Sequence, residues 1–332
     1  MNILITGATG LVGSAVARRL IQEGHTVRAL HRAGSDRSLL REVEDRVQWV
    51  EGDILDIYSL EQAIQDTDYV VHAAAVVSFV PRDQDAMYKV NVEGTANVVN
   101  TCLKLGVRKL CQISSVAALG RPDLRKVGGG HDIVITEDQR WEESPTNTHY
   151  AKTKYLSELE VWRGVAEGLK AVIVNPSLVL GEGDWDRSST RLFRYVYEEK
   201  PFYTEGLMNY VDVLDVAEAV YRLLFSDITA ERFVLSAGSM TYQELFNKVA
   251  TAFGKKKPTI RVSSAMTAII WRFEALRSWL TGSNPLITKE SAKSATHRFK
   301  YNSQKVQNAI GLTFRTSDET IRRVCESFSK GI

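Results

Sequence analysis

Apolar residues in the first half of the chain fall into short, almost unbroken runs: NILIT (2–6), TVRALH (26–31), VQWVEG (47–52), DYVVHA (68–73) and KLCQISS (109–115). A strand with one wet face would alternate, so unbroken runs of this length predict strands covered on both faces. Between the first two runs the period changes. In LVGSAVARRLIQEG, Leu11, Val12, Ala15, Val16 and Leu20 gather on one helical face, Arg18, Arg19 and Glu23 lie opposite, and Gly24 closes the segment. Helices are also predicted through 85–105 and 148–167, followed by a strand at AVIVN (171–175).

Strand, helix and strand repeated in this way predict an α/β fold. The expected form is a Rossmann-type, doubly wound parallel sheet with right-handed crossovers. After about residue 181 the rhythm breaks, and LDVAEAVYRLLF (214–225), TYQELFNKVATAFG (241–254) and TSDETIRRVCESF (316–328) read as helices. Thr316 and Glu319 stand at capping-box spacing in the last of these. The expected division is a nucleotide-binding domain over 1–180 and a smaller, mostly helical substrate lobe over 181–332. Some strands and helices of the second part are expected to return to the main sheet. The segment 121–146 is polar and reads as a loop, with GGG at 128–130. In AMTAIIWRFEALRSWL (265–280), Ile269, Ile270, Phe273, Leu276, Trp279 and Leu280 form an apolar stripe. It reads first as lobe core, next as a lid over an apolar substrate, and last as a membrane-surface contact.

Composition narrows the chemistry. Lys and Arg number 42 against 40 Asp and Glu, so bulk charge argues for neither nucleic acid nor a membrane surface. The one basic run, Lys255 to Lys257, reads as a solvated loop before Pro258. Cys102, Cys111 and Cys325 are scattered, which suits a reducing cytoplasm and gives neither a disulfide framework nor a zinc site. The longest apolar run, VVHAAAVV (70–77), falls far short of the about 20 residues of a membrane helix. A soluble cytoplasmic protein is the expectation.

Gly7, Gly10 and Gly13 follow the first strand directly and open the first helix. Close backbone approach at Gly7 and Gly10 would seat a pyrophosphate on the helix N-terminus, and Gly13 would let helix and strand pack. No GxxxxGK[ST] loop competes with this reading. At the end of the second strand, where NAD-preferring proteins carry an acid, the chain has His31 and then Arg32. A guanidinium suits a 2′-phosphate, so NADP(H) is favoured and NAD(H) is the alternative. Asp53, closing the third strand in EGDIL, is placed to meet the adenine edge.

The stretch HYAKTKYLSELEVW sets Tyr150 and Lys154 four residues apart on one helical face, and ISSVAALG ends the fifth strand with Ser114 and Ser115. YNSQK has the same spacing at Tyr301 and Lys305 but lacks this context. A hydride arriving at a carbonyl leaves an alkoxide that needs a proton. A phenol beside a lysine cation can give one, and a serine hydroxyl can orient the oxygen.

With these residues placed, the chain resembles an extended short-chain dehydrogenase/reductase of the NAD-dependent epimerase/dehydratase superfamily. TGATGLVG, GDILD, VVHAAA, VNVEGT, ISSVAALG, YAKTK, NPSLVLG and YVDVLDVAEA match that pattern in order, and YNSQKVQNAIGLTFRT is similar to its C-terminal signature. The resemblance implies Ser115, Tyr150 and Lys154 as the catalytic set, with Asn91 as the supporting asparagine. It implies that Ala73, Ala74 and Ala75 line the cofactor and that the backbone after Pro176 meets the carboxamide. Thr9, Leu11, Val12, Ile54, Ser114, Ser177 and Val179 complete the implied cofactor surface. A homodimer through the 85–105 and 148–167 helices is common among such proteins.

Two branches of the family compete. One resembles dihydroflavonol 4-reductase, cinnamoyl-CoA reductase and 3β-hydroxysteroid dehydrogenase, and acts on a carbonyl or alcohol of a small hydrophobic substrate. The other comprises nucleotide-sugar epimerases and dehydratases that retain NAD. Arg32, the long gap from Ser115 to Tyr150 and the form of HTVRALHR favour the reductases. So does TEGLMNYVDVLDV, which has Met208 and Asn209 where the sugar enzymes place a diphosphate-gripping arginine. Arg187, Arg191 and Arg194 could serve instead, though they read as a solvated helix face. A third class, an NADP-sensing regulator without turnover, ranks lower because the chain keeps both Tyr150 and Lys154.

Overall fold

The computed structural model describes residues 1–122, 133–185, 189–204, 206–262 and 299–330. The 265–280 stripe, the GGG of 128–130 and Arg187 lie outside the described residues. Five of the predicted strands form with nearly the expected bounds: β1 (Asn2–Thr6), β2 (Thr26–His31), β3 (Val47–Glu51), β4 (Tyr69–His72) and β5 (Lys109–Ile113). They join β7 (Ala171–Pro176) and β11 (Glu231–Leu235) in a seven-stranded sheet of order β11-β7-β5-β4-β1-β2-β3, every pairing parallel.

The unbroken apolar runs serve two cores. Ile3 and Ile5 face α1 (Leu11–Gln22) and α7 (Val213–Phe225), whereas Leu4 faces α2 (Ile57–Ile64), α4 (Gly94–Leu105) and α5 (His149–Ala166). Covering each such side chain on both faces contributes roughly 1.5–3 kcal/mol. The chain steps outward from β1 to β3 and then crosses to β4, so a topological switch point lies between β1 and β4. Ligands of such sheets sit in the crevice at that point, beyond the C-terminal strand ends.

The predicted 85–105 helix is broken into α3 (Gln84–Tyr88), a π-helical turn (Lys89–Glu93) and α4. That turn holds Asn91, and π-turns of this kind often mark functional sites.

The later part of the chain is shared between two bodies. Helix α7 packs against α1, β11 forms an edge of the main sheet, and Val306 of α9 (Gln304–Ile310) enters the same core, so all three belong to the half built on the main sheet. The smaller lobe has α6 (Thr190–Tyr197), α8 (Tyr242–Phe253) and α10 (Ser317–Lys330) around a sheet of β8 (Leu178–Leu180), β10 (Leu207–Asp212) and β12 (Gly238–Thr241). Phe193, Met208, Leu245, Phe246, Val324 and Phe328 form its core. Two short parallel pairs complete the described strands: β6 (Ile133–Ile135) with β14 (Phe299–Tyr301), and β9 (Phe202–Tyr203) with β13 (Ile260–Arg261).

Asp212 ties the two bodies together. It caps α7 by accepting from the Leu214 N–H at 2.8 Å, and it receives two bonds from Arg323 of α10 at 2.7 and 2.8 Å. Arg323 also reaches Glu182 at 2.7 Å, and Asp215 is bound by Arg315, so the acids of YVDVLDVAEA are structural. Among the described residues, no helix is long and apolar enough to cross a membrane.

Candidate active site

The sheet delivers the sequence-predicted residues to one edge, since Gly7, Arg32, Asp53, Ala73, Ser115 and Ser177 all follow the C-terminal ends of its strands. The three glycines have different reasons to be there. Gly7 has φ +74°, and a Cβ on it would stand 2.7 Å from the Ala73 carbonyl carbon and 2.6 Å from the Ala74 nitrogen. A Cβ on Gly13 would run into the Gly7 carbonyl. Both are therefore required by packing alone.

Gly10 is not. Its nearest neighbour to a Cβ is the Gly7 oxygen at 3.4 Å, an ordinary contact, and its φ of −91° suits any residue. It caps α1 with no side-chain hydrogen bond, whereas Asp56, Thr148, Asp212 and Thr241 cap α2, α5, α7 and α8 with theirs. A bare backbone and open N–H groups at this helix end fit a dinucleotide pyrophosphate. A second observation agrees at the far end of the crevice. The Ser177 hydroxyl, after Pro176, is buried without a hydrogen-bond partner, as a carboxamide-binding group would be before its ligand arrives.

At the end of β2 the Arg32 side chain is exposed, and its carbonyl accepts from His31 Nδ1 at 3.0 Å. Arg37, which the sequence pattern does not single out, is the better-fixed cation. Its Nη2 donates to His31 Nε2 at 2.8 Å, and its guanidinium lies 4.6 Å from the centre of the Trp49 ring. Asp53 forms a local turn, accepting from the Leu55 N–H at 3.0 Å ahead of α2. Ile54 is buried, and its side chain fills the space over Gly94. Leu11, Val12, Ala73 and Val179 pack against the main core, while Thr9 is half-buried and Ala75 exposed.

The catalytic candidates converge. Thr148 Oγ1 accepts from the Ala151 N–H at 3.0 Å and starts α5, setting Tyr150 in its first turn. Ser115 caps a short 3₁₀ turn (Val116–Leu119), accepting from Ala117 N–H at 3.2 Å, and its hydroxyl stands beside the Tyr150 phenol. Burial pushes the Tyr150 phenol up to about 12, and the Ser115 hydroxyl pulls the other way. Lys154, 2 % exposed, donates to the Ile113 carbonyl at 2.9 Å. Burial lowers it to about 8, and the Glu158 carboxylate opposes the fall.

The remaining predicted residues support rather than touch this pair. Asn91 donates to the Val76 carbonyl at 2.9 Å and to Thr153 Oγ1 at 3.0 Å, and accepts from Val76 N–H at 2.8 Å. Both ends of its amide thus clamp the loop after β4 onto α5, which makes it a positioning residue. Ser114 turns its hydroxyl to Glu158 at 2.5 Å, so only its backbone remains for a cofactor. Beneath lies a buried chain in which His72 bonds Thr6 at 2.6 Å and Thr95 at 3.1 Å, and burial lowers the imidazole to about 3, keeping it neutral. Above, Phe79 meets Tyr150 edge-on at 6.2 Å, and Val77 beside it is 56 % exposed.

On β10, Met208 is buried in the lobe core and Asn209 donates to the Phe299 carbonyl at 2.7 Å. Of the alternative cations, Arg194 pairs with Glu198 at 2.7 Å and Arg191 is exposed.

Comparison with known proteins gives the family and the fold. The model of the NAD dependent epimerase/dehydratase family matches residues 3–235. A putative dihydroflavonol 4-reductase of Synechocystis sp. is 29 % identical over 322 residues, covering 93 % of this chain and 89 % of that protein. The crystal structure of gox2253 superposes with a TM-score of 0.82 at 30 % identity, covering 99 % of this chain and 98 % of the other. The UDP-glucose 4-epimerase of Thermotoga maritima, solved with UDP-glucose, is 21 % identical with a TM-score of 0.79, covering 100 % and 99 %. At that identity the likeness is one of fold.

Proposed function

Because the chain belongs to the NAD dependent epimerase/dehydratase family, we propose that it is an NADPH-dependent carbonyl reductase, or alcohol dehydrogenase in reverse, acting on a small hydrophobic substrate. The observation that carries this reading is the set itself: Ser115 beside Tyr150, with Lys154 buried one helical turn below. The Gly7–Gly13 turn would hold the pyrophosphate, Ala73 to Ala75 and Lys154 the nicotinamide riboside, and Ser177 the carboxamide. When bound, the reduced cofactor supplies the hydride that makes a carbonyl carbon into an alcohol carbon.

The chain's own residues handle the oxygen. Ser115 orients it, and Tyr150 gives it the proton that completes the alcohol, becoming a phenolate. Lys154, still cationic at neutral pH, stabilises that phenolate and brings the tyrosine down from its raised value. Arg32 and Arg37 favour a 2′-phosphate over a free hydroxyl. Phe79 offers an apolar face beside Tyr150, which supports a hydrophobic carbonyl compound. A homodimer through α4 and α5 is the assembly this reading expects, and light scattering would check it.

Tyr150→Phe tests the assignment. Turnover should fall by about 10²–10⁴-fold or more while NADPH binding, followed by fluorescence, is kept. Full activity, or loss of cofactor binding with activity, would sink it. NAD copurifying tightly with the wild-type chain would instead favour an epimerase or dehydratase.

A further inference from the structure

One helical turn beyond Lys154 lies a carboxylate that the reaction does not touch. Glu158 is 1 % exposed, and it accepts from Ser114 Oγ and from Asn175 Nδ2, each at 2.5 Å. Asn175 Nδ2 also donates to the backbone carbonyl of Ser115 at 2.9 Å. From the edge strand β11, Arg232 brings Nη1 to 3.4 Å from the second Glu158 oxygen. The same guanidinium donates to the carbonyls of Glu137, at 2.5 and 3.0 Å, and of Gln139, at 2.8 Å. Those carbonyls belong to the segment that leads into Tyr150. One buried acid is thereby connected to the backbone of Ser115, to the lysine helix and to the approach of the tyrosine.

We propose that Glu158, fixed by Arg232, is a positioning residue that holds Ser115 in register through Asn175 and keeps Lys154 cationic from beneath. The inference rests on the role given to Lys154 above. Burial raises the Glu158 carboxyl above the usual carboxylate range, and its partners pull against that rise. The opposing influences are the bonds from Ser114 and Asn175 and the charges of Arg232 and Lys154. Arg232 cannot lose its proton, so a neutral Glu158 would leave a guanidinium facing an uncharged acid. The groups facing this assembly are Lys154 and Tyr150 from α5, Arg232 from β11, Glu137 from the preceding segment and His72 from β4. Glu137 is turned to the Val234 N–H at 2.8 Å, and His72 is neutral. Glu158 is therefore the carboxylate that acts on Lys154.

The test follows the lysine itself and needs no substrate. The full chain is labelled with ¹³C at the lysine ε-carbons, and the Lys154 signal is identified by its loss in Lys154→Met. In the wild type it should titrate near pH 8. Glu158→Gln keeps acceptors for Ser114 and Asn175 but removes the charge, and should move that titration down by about one pH unit or more. An unmoved titration in the folded variant overturns the proposal. Should Glu158→Gln fail to fold, Glu158→Met removes the charge at similar bulk and leaves Arg232 on the carbonyls of Glu137 and Gln139. It must show the same downward shift, and an unmoved signal there overturns the proposal equally. With a reducible carbonyl in hand, the alkaline limb of the rate profile should move by the same interval, and Glu158→Asp should restore it. A shift without any carbonyl reduction would reject the proposed reaction and leave the Glu158–Lys154 coupling standing.

Discussion

Of the buried carboxylates that meet arginines among the described residues, Asp212 and Glu158 do different work. At the seam between the sheet and the lobe, Asp212 is fully buried, caps α7 and takes Arg323 Nη2 across both of its oxygens. Under the active site, Glu158 is as deeply buried, but its arginine stands farther off, at 3.4 Å, and a second cation lies one turn away. The first arrangement saturates the acid and locks two bodies. The second leaves the acid's charge shared, so that it still acts on Lys154. A closely paired buried acid resists substitution of either partner, whereas a shared charge transmits it.

The contrast can be broken most forcefully at the seam. Asp212→Ala removes a buried pair and a helix cap together, and should destabilise the fold by about 3–5 kcal/mol in denaturant unfolding. Asp212→Asn keeps capping ability and should lose less. Neither should move the Lys154 titration, and a shift there would erase the distinction between the two acids. Arg37→Ala comes next in size. Losing one charge-assisted contact should weaken NADPH by about 10–100-fold in a binding titration, with NADH little changed. Equal losses for both nucleotides would remove Arg37 from the 2′-phosphate and leave it a support for Trp49. The effect that is smallest at neutral pH, and grows only on acidification, concerns His72, which burial keeps neutral. Its value in the fold lies below that of the unfolded chain, so the unfolded state binds more protons as the pH falls from about 6.5 toward 3. Stability should therefore decline across that window by up to ~1.4 kcal/mol for each pH unit, and His72→Gln should flatten the slope.

Much of the sheet could be read because its signal is local. An unbroken run such as NILIT marks a buried strand whatever the rest of the chain does, and Gly7 and Gly13 are forced by atoms within a few residues or on the next strand. Tyr150 and Lys154 were legible for the same reason, since four residues of one helix fix their relation. The lobe was less so. Its strands β8 and β12 are only 3 and 4 residues long, and no period shows over so short a span. Asn91 was found by motif, but its clamp on Val76 depends on a π-turn that side-chain spacing does not announce. Arg37 escaped because its meaning comes from Trp49 on the neighbouring strand. Glu158 escaped because an acid on a helix ordinarily reads as solvated, and its partner Arg232 lies 74 positions away.

The place of Arg232 on the edge strand bears on how the molecule can be divided. A fragment ending near residue 180 would hold the glycine turn, Ser115, Tyr150 and Lys154, and would look on paper like a complete nucleotide-binding module. It would lack β11, leaving the flank of β7 unpaired and Glu158 without its guanidinium. The chain leaves the sheet to build part of the lobe and comes back to lay down that strand, so the chemistry is finished only on the return. Swapping lobes between relatives at the apparent boundary would therefore alter the electrostatics of the lysine along with the substrate surface. Exchange that leaves the active site whole must carry α7 and β11 with the sheet.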